Sequence, residues 1–115
     1  NWNFLEGEGV EYLAASENLS NLTQLTLTYN PIGWRGAEAI AGSANFRELT
    51  LLDLYETDLG DMGARALAES TNLPNLKKLV LIHNDIGDGV QAMFKDNKNF
   101  PKLDDVYFYG AKSEN

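Results

Sequence analysis

The stretch LTLTYNPIGWRGAEAIAG, residues 25–42, changes its hydrophobic period halfway along. Leu25 and Leu27 alternate with threonine, as a half-buried strand requires. Ile32, Ala37, Ile40 and Ala41 instead recur at three- and four-residue steps, which places them on one face of a helix. Asn30 stands at the change. One such switch fits many folds, whereas a switch that recurs at a fixed interval specifies a stacked array.

It does recur. Leu22, Leu49, Leu76 and Leu103 are each 27 residues apart. Three and five residues after them come Leu25 and Leu27, Leu52 and Leu54, Leu79 and Leu81, and Val106 and Phe108, all apolar. Ile32, Leu59 and Ile86 align in the same register, which reaches back to Leu5. Glycine columns (Gly33, Gly60, Gly87; Gly9, Gly36, Gly63), an alanine column (Ala14, Ala41, Ala68) and an asparagine column (Asn18, Asn45, Asn72, Asn99) need no gap. Residues 1–21 therefore read as a partial repeat, 22–48, 49–75 and 76–102 as whole repeats, and 103–115 as a terminal strand and tail of one domain.

Each unit begins with a strand, expected near residues 24–28, 51–55, 78–82 and 105–109. At the turn, Asn30 and Asn84 can both donate to and accept from backbone groups that would otherwise be buried unpaired. Thr57 takes this column in the second unit and Asn3 fits it at the front. Helices are expected near 34–43, 61–70 and 88–96, with a counterpart near 7–16. Gly36 and Gly63 would let each helix backbone approach the next unit. In the third unit, either the helix shifts by one residue or Val90 occupies the glycine column. No unit can bury both its faces alone, so neighbours must stack, with a parallel sheet lining the concave side and helices on the convex side.

LTQLTLTYNPIG, LTLLDLYETDLG and LKKLVLIHNDIG resemble the LxxLxLxxNxIG signature of leucine-rich repeats. GWRGAEAIA and GDMGARALA are similar to the helical half of the ribonuclease-inhibitor-like subclass, found also in innate-immune receptors of the NOD type. The resemblance implies an α/β leucine-rich-repeat solenoid, a right-handed βα superhelix with a 27-residue repeat. It implies a scaffold that binds other molecules, and it names none of them.

Composition narrows the partner. Seventeen Asp and Glu against nine Lys and Arg give a net charge of −8, which disfavours nucleic acid and anionic membrane surfaces and favours a neutral or basic protein or peptide. The absence of cysteine excludes disulfides and thiolate metal sites and favours a reducing, cytoplasmic setting. It also weighs against glycans at the acceptor patterns of Asn18 and Asn21. No apolar run reaches the length of a bilayer span. The chain begins at Asn1 without methionine, so it reads as a piece of a longer protein from which a signal could have been lost, and a secreted bacterial protein stays open.

The outward strand positions define the candidate binding face. Thr26, Thr28, Asp53, Tyr55, Val80, Ile82, Tyr107 and Tyr109 are expected on it, with Tyr29, Glu56 and His83 at its rim. Tyr55, Val80, Ile82, Tyr107 and Tyr109 would lie side by side, a tyrosine-rich patch of the kind interfaces use. Cross-strand packing alone also favours such residues. His83 is the only histidine and lacks the partners that a metal or catalytic role demands. Asp85, Asp88 and Gly89 lack the alternating acids and closing glutamate of a calcium loop and read as a helix start. No GxSxG or phosphate loop is present. The chain is thus read as a non-enzymatic module with no cofactor and no metal, the alternative being a structural spacer or regulatory segment of a larger protein. Phe4, Leu5, Val10 and Leu13 at the front edge, and Val106 and Phe108 at the back, would be capped by further repeats, by Trp2 and the tail, or by end-to-end self-association.

Overall fold

The structure, a computed structural model, describes residues 9, 11 and 21–109. Four short strands, β1 (Gln24–Thr26), β2 (Leu51–Asp53), β3 (Lys78–Val80) and β4 (Asp105–Tyr107), form a parallel sheet in chain order. The register is the sequence repeat made visible: Leu25 pairs with Leu52, Leu52 with Leu79 and Leu79 with Val106. Each strand starts where the pattern places it and ends two residues sooner. Side chains account for the early end in the middle unit, because the Leu54 carbonyl accepts from the Thr57 hydroxyl (2.9 Å) and from the Asn84 amide (2.6 Å).

The chain then turns through left-handed backbone at Tyr29, Glu56 and His83, with φ of 66, 51 and 61°. Gly33 and Gly60, at φ 66 and 63°, open the helices α1 (Gly33–Gly42) and α2 (Gly60–Ala68). Their N–H groups donate to the Thr57 and Asn84 carbonyls of the following unit, at 3.1 and 3.0 Å. Both helices bury their alanine and Ile40 or Leu67 columns and leave the opposite face in water. Gly63 is close-packed against the preceding unit rather than the next, since a Cβ there would meet Ala37 Cβ at 3.2 Å and Trp34 Cα at 3.3 Å. Gly36 differs from expectation. A Cβ at that position would strike Ile32 Cβ at 2.6 Å, so the constraint lies within its own unit.

The third helix is short. α3 (Asp88–Gln91) gives way to a 3-10 turn at Ala92–Phe94. Val90 is buried 27 residues after Gly63, so it occupies the glycine column, and its side chain needs space that the other units do not provide. The helix accordingly starts one residue later, with Gly87 extended at φ −74 and ψ 165°. Asp88 lies in its first turn, where an acid is favoured, while Asp85 sits in the preceding turn at φ 54°.

Burial follows position in the stack. Leu49, Leu52, Leu76 and Leu79 are fully enclosed, whereas Leu22, Leu25, Leu103 and Val106 at the two ends of the described sheet are half-buried. A buried leucine contributes roughly 1.5–3 kcal/mol, more than the net ~1 kcal/mol of a hydrogen bond, so side-chain stacking between units dominates stability. At the back edge Phe108 is buried, 5.8 Å from the Phe94 ring, and Phe94 in turn lies 5.9 Å from Phe100. Gly9 and Glu11 are helical. The remaining front-end assignments, Trp2, Asn3, Phe4, Leu5, Val10, Leu13, Asn18 and most of the helix near 7–16, lie outside the described residues, as does the tail 110–115.

Candidate binding surface

The parallel register sets the outward side chains in rows across the sheet. One row runs Gln24, Leu51, Lys78, Asp105, and the next runs Thr26, Asp53, Val80, Tyr107. Two residues further along come Thr28, Tyr55, Ile82 and Tyr109, continued by backbone bonds such as Glu56 N–H to the Ile82 carbonyl at 2.8 Å. The second and third rows each begin with threonine and end with tyrosine, so the surface rises from Thr26 and Thr28 at one end to Tyr107 and Tyr109 at the other.

Two members of the expected patch offer little surface. Val80 is 8% exposed and Ile82 9%. Val80 stands in its row between Asp53 and Tyr107, and Ile82 lies two residues further along, between the positions of Tyr55 and Tyr109. The tyrosines are therefore not one continuous strip. Tyr107 carries Lys78, whose Nζ lies 5.4 Å from the ring centre in a cation–π contact. Tyr109 is exposed, and its hydroxyl accepts a hydrogen bond from Gln91 Nε2 at 3.2 Å.

The stronger grouping is at the rim. Tyr29 reaches Tyr55 edge-to-face at 5.3 Å between centroids, and Tyr55 reaches His83 in the same manner at 5.4 Å. Three successive units thus contribute one ring each to a single aromatic row, with Tyr29 61% exposed at its start. Left-handed backbone at Tyr29 and His83 aims these two side chains, and the Asp53 carboxylate fixes the backbone between them by accepting from Tyr55 N–H at 3.1 Å. The Tyr29 hydroxyl beside it holds the Tyr55 phenol above its ordinary pKa, with desolvation and the Glu56 carboxylate acting in the same direction. His83 is also where the row meets an open cleft of about 610 Å³, lined by Ile82, Ile86, Gln91, Phe108 and Tyr109 among others.

The turn beneath this row is held by Asn84. Its Oδ1 accepts from Thr57 N–H (2.9 Å) and Leu59 N–H (3.1 Å), and its Nδ2 donates to the Leu54 and Ile82 carbonyls. Asn30 donates within its own unit, to the Leu27 and Thr28 carbonyls at 3.2 Å each. Thr57 does not weaken the column as much as its short side chain suggests, because its N–H and hydroxyl both engage Asn84.

A second polar seam, on the helix side, has no counterpart among the expected features. Ser70 Oγ and Asn72 Nδ2 donate to the Ala41 carbonyl at 2.7 and 2.8 Å, and Asn97 and Asn99 Nδ2 donate to the Ala68 carbonyl at 2.8 and 3.2 Å. The second and third units thereby each cap the last turn of the helix before them, where carbonyls lack intrahelical partners. The aligned Asn45, Asn72 and Asn99 were the available signal, since the residue two before each, Ser43, Ser70 or Asn97, accepts from that asparagine's N–H.

Among the described residues no group of three or more His, Asp or Glu is arranged to hold a metal ion, and no helix is long and apolar enough to cross a membrane. The family model described as Leucine Rich repeat matches residues 18–41 and 72–92. None of the curated proteins compared matches the chain. The two matched segments are a strand-turn-helix and a turn-strand-helix of the same repeat, and the four parallel strands keep one 27-residue register throughout. The chain folds as a leucine-rich-repeat solenoid.

Proposed function

We propose that the concave sheet face binds a protein or peptide, with the rim row Tyr29, Tyr55 and His83 as its centre and Tyr107 and Tyr109 beside it. The observation that carries this reading is the row itself, three rings from three units, with Tyr55 in contact with Tyr29 on one side and His83 on the other. Aromatic side chains supply large contact area at small entropic cost and concentrate at interface hot spots. Thr26, Thr28 and Asp53 would form the polar margin. The module acts by binding and catalyses no reaction, and its helical segments support a place in the ribonuclease-inhibitor-like subclass. Affinity capture with the chain, against a Tyr55→Ala plus Tyr107→Ala variant of unchanged circular dichroism, tests it. Partners retained by the former and lost by the latter are expected. Capture indifferent to both substitutions would overturn the reading and leave the role of a rigid spacer.

A further inference from the structure

The composition of the rim specifies the partner more narrowly. Residues 21–34, 49–64 and 79–94, which contain the rim turns of all three units, hold no Lys or Arg. They do hold Glu56, Asp58 and Asp85, all exposed, and Asp53 under the Tyr55 backbone. The turns that carry the aromatic row are thus acidic, with Glu56 close enough to act on the Tyr55 phenol, and the π faces of the row attract cations. The sheet satisfies one such ring internally, by placing Lys78 over Tyr107. Among the described residues no Lys or Arg is so placed over Tyr29 or Tyr55.

Resting on the concave-face reading above, we propose that the rim receives a lysine or arginine side chain of the bound protein, seated on the Tyr29–Tyr55–His83 row with Glu56, Asp58 and Asp85 around it. The occupant is a basic peptide segment, complementary to a chain of net charge −8. Aromatic contact orients the cation, and the carboxylates speed its arrival and oppose acidic competitors.

A random linear peptide library selected on the whole chain separates this proposal from the reading beneath it. Selected peptides are sorted by binding to the Tyr55→Ala plus Tyr107→Ala variant and to a Glu56→Gln, Asp58→Asn, Asp85→Asn variant. Asparagine tolerates the left-handed backbone of positions 58 and 85, so the second variant keeps its turns. Peptides lost on the tyrosine variant are expected to share a Lys or Arg. Replacing that residue by citrulline or norleucine should weaken binding about 3- to 30-fold, and the triple variant should weaken it comparably. Peptides that need the tyrosines, yet carry no basic residue or ignore the triple variant, would overturn the proposal and leave the concave-face reading standing. Peptides indifferent to the tyrosines, or no peptide above background, would overturn both.

Discussion

The side-chain amide of Asn84 donates to the Leu54 carbonyl, 30 residues earlier in the chain, at 2.6 Å, and so ties one repeat to the one before it. The same side chain accepts from Thr57 and Leu59 N–H groups, in a site where it is itself buried. Asn84→Ala should strand these backbone groups and cost on the order of 1–3 kcal/mol. Thr57→Ala, which removes one hydroxyl, should cost less. Equal losses in urea unfolding of the two variants would remove the distinction between them. Asn84→Asp should also destabilise, because a carboxylate cannot donate to Leu54 and Ile82.

Leu52 and Leu79 lie at adjacent positions of the sheet with no exposed surface. Truncation of either to alanine should cost about 2–5 kcal/mol, the range for buried leucines that leave a cavity. Because each unit is buried only by its neighbours, the loss should appear as one cooperative transition moved to lower denaturant. A loss below about half a kcal/mol would be incompatible with core burial.

Gly63 and Gly42 offer a controlled pair. Alanine at 63 would place its Cβ 3.1–3.3 Å from Leu59, Ala37 and Trp34, so neighbouring helices must part, at about 1–3 kcal/mol. Alanine at 42 meets nothing within 4 Å and should be neutral or stabilising by about 0.4–1 kcal/mol. Thermal unfolding of both variants checks the contrast.

Tyr55 should titrate above the ordinary tyrosine value of 10.0, mainly because of the Tyr29 hydroxyl. Ultraviolet difference titration of the wild type, Tyr29→Phe and Tyr55→Phe should assign the late-ionising phenol and show it moving down in Tyr29→Phe. The sign for stability is fixed by linkage. The folded chain holds this proton more tightly than the unfolded chain, so the contribution is complete below 10.0 and is lost as pH rises through the raised value.

Strand starts and inward residues are legible in the sequence because a single 27-residue interval governs both, and the observed pairing of Leu25, Leu52, Leu79 and Val106 follows that interval. Val80 and Ile82 were not legible as buried. Exposure depends on the neighbours that other strands bring alongside, which alternation along one strand does not register. The edge-to-face row is oblique to the repeat, since Tyr29 and His83 share a column that Tyr55 does not, so aligning columns does not reveal it. The Ser43, Ser70 and Asn97 seam mixes residue types of one chemistry and leaves no hydrophobic trace.

That seam has a mechanical consequence. Asn84 ties the third unit to the second next to the rim, while Ser70 and Asn97 tie each of these units to the one before it behind the helices, so the second and third units are bolted along two separated lines. The rings of Tyr55 and His83, which stand on these two units, are consequently held at a set pitch before any partner arrives. Little ordering remains to oppose association on this side, and the burden of adjusting shape falls on the incoming chain.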